Sequence, residues 1–281
     1  MVQELDVRQN RIDCRFDMLR RTGAKGLITY ITAGDPDLET TKKLVLAMEQ
    51  AGADIIELGV PFSDPMADGP IIQRASSRAL AGGTSLGGIL RLVGQLRVQT
   101  DIPLVLMTYY NPVLRYGLAR FAADAGAAGV DGLIIPDLPP EESGELMQEA
   151  SRQGIFLIPL AAPTSTGDRL ARVGRAARGF VYCVSLTGVT GVRDTVPDGI
   201  GEFIKRVRNH CNQPLAIGFG ISDPAQAALM AGLGDAVIVG SAIVNVVEKH
   251  VNEPAVMLEQ VAALVRQLQQ AVREAGKNGT S

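Results

Sequence analysis

The chain predicts an α/β fold, a single-domain (β/α)8 TIM barrel, on three observations. Eight short apolar runs recur along it, at residues 27–33, 54–60, 103–109, 132–136, 156–161, 179–185, 214–220 and 236–241. Segments with helical spacing separate them; within residues 40–50, Leu44, Ala47 and Met48 fall at i, i+3 and i+4. Several runs are introduced by a Gly followed closely by an acid, as in Ala51-Gly-Ala-Asp54, Ala128-Gly-Val-Asp131 and Leu233-Gly-Asp235. That Gly suits the C-cap of a helix before the chain turns into a strand. The alternation calls for parallel strands joined by right-handed crossovers. Eight units in about 250 residues match the length of a closed barrel. An open doubly wound sheet is the alternative, but it seldom carries eight strands without a break.

Some segments exceed the minimal repeat. Residues 11–21 read as an extra N-terminal helix that would cover the bottom of the barrel. After the second strand come two helical stretches, 71–81 and 86–98, split by Gly82-Gly83-Thr84. After the eighth strand, residues 243–250 form a short helix and Pro254 starts another. In that last helix Met257, Val261, Leu264 and Leu268 mark an apolar face. Residues 1–10 and 276–281 are expected to fray. No linker or composition break divides the chain, so residues 1–281 read as one domain.

Composition narrows the function classes. The chain has 281 residues, 46% of them hydrophobic, with a net charge of −3. No apolar run is long enough to span a membrane. Residues 1–25 are polar with both charge signs and no apolar core, which predicts no secretory signal and a cytoplasmic protein. The sequence pI of about 5.5 leaves no electrostatic footprint for nucleic acid. Cys14, Cys183 and Cys211 have no paired spacing and read as reduced thiols. The two histidines, His210 and His250, lack ligand-spaced partners, which argues against His-based triads and most metal sites. No metal or organic cofactor is called for.

Chemistry concentrates in one stretch, Asp54-Ile-Ile-Glu-Leu-Gly-Val-Pro-Phe-Ser-Asp-Pro-Met-Ala-Asp-Gly-Pro70. Side chains alternate along a strand, so Ile56, Leu58 and Val60 share one face and Ile55, Glu57 and Gly59 the other. The wholly apolar face suits packing on helices. Glu57 must then point into the barrel near the strand's C-terminal end, where a carboxylate is costly without a partner or a task. Asp68 sits in the following loop, in a rigid Asp-Gly-Pro turn that can aim it back over the strand end. A structural ion pair for Glu57 and a plain turn for Asp68 are the bland alternatives. Their conjunction favours an active site.

Glycine-rich loops follow the sixth, seventh and eighth runs: Thr187-Gly-Val-Thr-Gly-Val-Arg193, Ile217-Gly-Phe-Gly-Ile-Ser222 and Val239-Gly-Ser-Ala242. Barrels of this class often bind phosphate on the last two loops and the N-terminus of a short extra helix. Ser241 can serve there as N-cap or as phosphate donor. A Gly-x-Gly alone is no dinucleotide fingerprint.

These motifs resemble the tryptophan synthase alpha subunit family. The resemblance rests on the Glu57–Pro70 signature and on Ala33-Gly-Asp-Pro36, Met107-Thr-Tyr-Tyr-Asn-Pro112, Pro136-Asp-Leu-Pro139, Gly188-Val-Thr-Gly191, Gly218-Phe-Gly220 and Gly240-Ser-Ala-Ile-Val244. It implies cleavage of indole-3-glycerol phosphate to indole and glyceraldehyde 3-phosphate. It also implies that Glu57 and Asp68 are catalytic and that Gly191, Gly220, Gly240 and Ser241 bind the phosphate. Tyr30, Tyr182 and Phe219 would line the pocket, and Thr190 would close onto Asp68. A pyridoxal-phosphate-dependent beta subunit is the implied partner, two alpha with two beta chains, docking on Asp64, Asn111 and Pro139. Glu57 is expected to hold a proton near neutral pH and Asp68 to stay ionised. A standalone indole-releasing lyase, another phosphate-sugar lyase or isomerase, and a non-enzymatic binding barrel are the competing readings. An epimerase or aldolase would want a strand-end Lys or a His–metal pair, and neither is present.

Overall fold

A computed structural model describes residues 10–184 and 199–278. Its strands are β1 (Gly26–Thr32), β2 (Ile55–Gly59), β3 (Leu104–Met107), β4 (Gly132–Ile134), β5 (Phe156–Leu157), β6 (Leu160–Ala161), β7 (Val181–Val184), β8 (Leu215–Gly218) and β9 (Ala236–Val239). They form one parallel sheet in the order β5-β4-β3-β2-β1-β9-β8-β7-β6. β5 and β6 are the two halves of the fifth expected run. Between them, the Ile158 N–H donates to the Leu133 carbonyl at 2.8 Å, and the Pro159 carbonyl accepts from the Tyr182 N–H at 3.0 Å. One short stretch thus joins the strands on either side, and the ring closes. The interruption falls at Pro159, which has no N–H to give a ladder. The eight-stranded barrel expected from the sequence is present, with its fifth strand broken in two.

The helices are α1 (Arg11–Arg21), α2 (Leu38–Gln50), α3 (Pro70–Ala81), α4 (Leu86–Leu96), α5 (Tyr110–Tyr116), α6 (Leu118–Ala128), α7 (Gly144–Arg152), α8 (Gly167–Ala176), α9 (Ile200–Arg208), α10 (Pro224–Ala231), α11 (Ser241–Lys249) and α12 (Pro254–Asn278). Polar caps start several of them. Asn10 accepts from the Ile12 N–H, Asp37 from Thr40, Ser85 from Gly88 and Asp223 from Gln226. Each such cap is worth about 0.5–2 kcal/mol. The extra helices after the second and eighth strands are present as α3 with α4 and α11 with α12. The short helix α5 lies within a stretch that periodicity does not mark as helical. In α12 the buried stripe is Met257, Val261, Val265, Leu268 and Val272, with Leu264 only partly buried. The helix continues through Gly276 to Asn278, where fraying is expected from the sequence.

Two apolar layers follow from strand alternation. Ile28, Ile55, Val105, Ile134, Phe180 and Ile238 fill the interior, and Ile12, Phe16 and Leu19 of α1 plug it from below. Leu27, Ile31, Ile56, Leu58, Leu106 and Val237 point outward onto the helices. Burying each of these larger side chains contributes about 1.5–3 kcal/mol.

The acid that introduces a strand has a physical task. The Asp54 carboxylate accepts the Leu27 N–H at 2.8 Å, Asp131 the Leu104 N–H at 2.8 Å, and Asp235 the Leu215 N–H at 2.8 Å. The backbone N–H of each Asp donates back to the carbonyl of the same residue. Each clamp therefore locks the start of one strand to the start of its neighbour across the intervening helices. Arginines neutralise the acids: Arg273 at Asp54, Arg97 and Arg11 at Asp131, and Arg208 at Asp235.

Asp131→Ala should destabilise the barrel by about 3–5 kcal/mol, because it strands a buried N–H and two guanidinium partners. Asp235→Ala, with its more exposed ion pair, should cost about 1 kcal/mol. Urea unfolding midpoints of the two variants check the order.

Candidate active site

Glu57 lies on β2 in register with Tyr30 of β1 and Val105 of β3. The Ile55, Glu57 and Gly59 face is the inner one, as strand alternation requires. Glu57 is 1% exposed, and neither carboxyl oxygen has a hydrogen-bond partner among the described residues. Burial in this apolar layer, and then the charge of Asp68, push its pKa up to about 8.

Asp68 closes the loop that leaves β2, just before Gly69 caps α3. Burial raises it too, to about 6, while a hydrogen bond from Tyr109 pulls it back down. Its place on a loop predicts an ionised group. It remains mostly ionised at neutral pH, but partial burial leaves it a stronger base than a solvated aspartate.

Tyr109 has no role in the expectations drawn from the motifs, yet it is central to the site. It follows β3 and is 4% exposed. Its hydroxyl accepts the Ala67 N–H at 2.9 Å, and its ring lies 5.2 Å from that of Phe62. It therefore holds both ends of the β2 loop. The available signal is its place in Met107-Thr-Tyr-Tyr-Asn-Pro112, at a strand end. Its neighbour ties in the next loop, since the Tyr110 N–H donates to Asp137 at 2.9 Å.

The two tyrosines expected in the pocket rest against glycines of the neighbouring strands. A Cβ on Gly59 would lie 2.1 Å from the Tyr30 hydroxyl, and one on Gly218 would lie 2.7 Å from the Tyr182 ring. Only glycine lets either phenol lie flat over the strand end. Burial raises both hydroxyls well above the ordinary range, so both stay neutral donors.

Phe219 and Gly220 follow β8, and the Phe219 ring packs 6.1 Å from Phe203. Gly240 occupies the cap position of α11 and makes no side-chain cap bond. Ser241 is the first helical residue rather than the N-cap, so its hydroxyl and the first-turn N–H groups are not committed to a cap. The strand order puts β8 and β9 beside β1 and β2. The glycine-rich end and the two carboxylates thus share one mouth of the barrel. Thr190 and Gly191, with the whole 188–193 loop, lie outside the described residues. Asp64 and Pro139 fall on the loops after β2 and β4 and Asn111 in the first turn of α5, just after β3; the three follow adjacent strands and form one sector of the same rim. Asp64 and Asn111 are exposed there. Among the described residues, no group of three or more His, Cys, Asp or Glu could hold a metal ion. No helix among them is long and apolar enough to cross a membrane.

Comparison with known proteins gives a consistent result. The family model for the tryptophan synthase alpha chain matches residues 16–273. The tryptophan synthase alpha chain of Citrifermentans bemidjiense is 53% identical over 263 residues, covering 94% of this chain and 98% of that one. That of Thermoanaerobacter sp. is 49% identical over 263 residues, covering 94% and 100%. Among solved structures, tryptophan synthase subunit alpha from Legionella pneumophila superposes with a TM-score of 0.88 at 37% identity, covering 95% of this chain and 100% of that one. A chain of Mycobacterium tuberculosis tryptophan synthase does so with a TM-score of 0.87 at 39% identity, covering 95% and 99%. With a family match over nearly its whole length and relatives at half identity, the chain belongs to the tryptophan synthase alpha chain family.

Proposed function

We propose that Glu57 and Asp68 are the acid–base pair with which this chain cleaves indole-3-glycerol phosphate to indole and glyceraldehyde 3-phosphate, the alpha reaction of tryptophan synthase. One observation carries the assignment: Glu57 is buried with neither carboxyl oxygen hydrogen-bonded among the described residues, at the strand end that leads into the Asp68 loop; burial pushes its pKa up to about 8 and that of the less buried Asp68 only to about 6. Two carboxyl groups whose environments set their pKa values apart divide acid from base.

The chemistry runs from those states. The carbon–carbon bond at indole C3 breaks only after C3 is protonated. Neutral Glu57 delivers that proton. The ring nitrogen then carries positive charge, and the Asp68 carboxylate accepts its N–H and stabilises it. Glu57, now ionised, takes the proton of the adjacent side-chain hydroxyl. The electron pair of that O–H bond forms the aldehyde C=O, and the carbon–carbon bond breaks to restore the aromatic indole. Tyr30, Tyr182 and Phe219 line the indole pocket. Gly220, Gly240 and Ser241 receive the phosphate at the N-terminus of α11, and Gly191 adds to that cradle. Thr190 closes onto Asp68. The whole of residues 1–281 acts as one domain.

As an alpha chain, the protein is the partner of a beta chain. We read the assembly as two alpha and two pyridoxal-phosphate-dependent beta chains. They dock on the sector that carries Asp64, Asn111 and Pro139, where Met66 is 86% exposed. Tyr109 joins that sector to Asp68, so docking steadies the catalytic loop.

Glu57→Gln and Asp68→Asn should each lower indole release at least about 100-fold, with circular dichroism unchanged. A Glu57→Gln variant that keeps a tenth of wild-type turnover would remove it as the acid. The pH profile of kcat/KM should fall below about pH 6, where Asp68 protonates, and above about pH 8, where Glu57 ionises.

Stability carries the same signature. Because the folded pKa of Glu57 is raised, its contribution is intact below the ordinary carboxyl range and is lost as pH rises toward about 8. Glu57→Gln should therefore melt above the wild type at pH 9, by about 2–4 °C for each kcal/mol recovered. Thermal melts at pH 6 and pH 9 decide it, and an unchanged difference between the two would count against the buried neutral acid.

Size-exclusion with the cognate beta chain should show co-elution at micromolar concentrations and a faster alpha reaction in the complex. Separate elution with an unchanged rate would favour a standalone lyase.

A further inference from the structure

Helix α3 begins directly after Asp68, and helix α11 begins at the phosphate end of the mouth. The apolar contact between them is small. In it Ala75 of α3 and Val244 of α11 meet over Tyr30 of β1, with Ile71, Ile72 and Met107 of β3 at the edge. A four-member charge network supplies the rest. The Arg78 guanidinium donates through Nε and Nη2 to the two oxygens of Asp35, both at 2.8 Å, and through Nη1 to Glu248 at 2.7 Å. Arg74, one turn earlier on α3, grips the same Glu248 with two bonds of 2.8 and 2.7 Å. Asp35 belongs to the loop after β1 and is 2% exposed. Glu248 belongs to the last turn of α11. Two positive and two negative charges balance, so the cluster is closed. Both arginines hold the Glu248 carboxyl down at about 2, and it stays charged at any working pH.

We propose that Arg78 is a positioning residue for the cleavage reaction: by bridging Asp35 and Glu248 it fixes the spacing between the Asp68 loop and the phosphate-binding end of α11. The proposal rests on the acid–base reading of Glu57 and Asp68. The substrate carries its indole ring, whose N–H Asp68 accepts, at one end and its phosphate at the other, with the bond that breaks between them. Both anchors must therefore keep one separation, and a thin apolar contact between two helices does not set it. Planar, bidentate guanidinium bonds do, because they fix angle as well as distance. A lysine at 78 would keep the charge but lose the fork.

The test uses the chain with its cognate beta chain. Arg78→Met, Arg78→Lys and Glu248→Gln are compared for kcat and KM with indole-3-glycerol phosphate, for affinity toward sn-glycerol 3-phosphate, and for melting temperature. Arg78→Met and Glu248→Gln should each lower kcat about 10-fold and weaken glycerol phosphate binding severalfold, since small misplacements of anchored groups cost rate. Arg78→Lys should recover part of the binding and little of kcat. A lowered melting temperature with kcat, KM and glycerol phosphate affinity all within twofold of wild type would overturn the proposal, as would no change in any quantity. If Arg78→Met fails to fold, Glu248→Gln and Arg74→Met, which touch the more exposed half of the network, are judged by the same thresholds. Should Glu57→Gln retain turnover, the acid–base assignment falls, while the glycerol phosphate affinities still judge Arg78.

Discussion

The constraint on which the site depends is a single buried carboxyl group that no described residue hydrogen-bonds. Glu57 projects into the apolar interior of the barrel, with both oxygens unbonded among the described residues. A charged carboxylate there would forfeit its hydration for nothing in return. Burial instead favours its neutral form, and a neutral carboxyl is what the proposed role of Glu57 as proton donor to the indole C3 requires. The cost in stability is local. It is tolerated because the ring below Glu57 is closed and packed, with α1 plugging the bottom and reciprocal Asp clamps locking the starts of neighbouring strands.

The mouth of the barrel is held by contacts between neighbouring loops. Asp68 is not held by its own loop alone. Tyr109, just after the next strand, takes the Ala67 N–H and touches Phe62, so the loop that carries Asp68 is fastened at both ends to the end of β3. Tyr110 continues the chain of contacts to Asp137 after β4. The rim on which the beta chain is proposed to dock is therefore continuous with the loop that carries Asp68. On the other side of the mouth, Arg78 and Arg74 join the helix after Asp68 to α11, where the phosphate is proposed to bind. Carboxyl groups are used in two opposite ways: buried without a described partner at the proposed proton donor, Glu57, and paired with arginines at the frame.

Much of this is legible in the chain before folding. The period-2 alternation in Ile55-Ile-Glu-Leu-Gly59 determines that Glu57 faces inward, because a strand has only two faces and the other one is wholly apolar. The Gly-then-acid introductions at Asp54, Asp131 and Asp235 mark where strands begin. The 11–21 helix, the doubled helices after the second and eighth strands, and the glycines of the phosphate end are all readable from local spacing. What spacing does not carry is partnership between distant residues. Pro159 splitting the fifth strand, Leu264 giving way to Val265 on the buried stripe, and Gly240 rather than Ser241 taking the cap position each depend on how the ring closes.

The sequence by itself thus determined the order of elements, the inward face of Glu57 and the family to which the chain is similar. Only the tertiary structure decided that Tyr109 would steady Asp68, that Tyr30 and Tyr182 would lie over Gly59 and Gly218, and that Arg78 would meet Glu248, which lies 170 residues away. The physical reason is that periodicity records which way a side chain points. Desolvation and hydrogen bonding instead depend on what stands opposite it, and in a closed parallel barrel the opposite group comes from a strand or helix far along the chain.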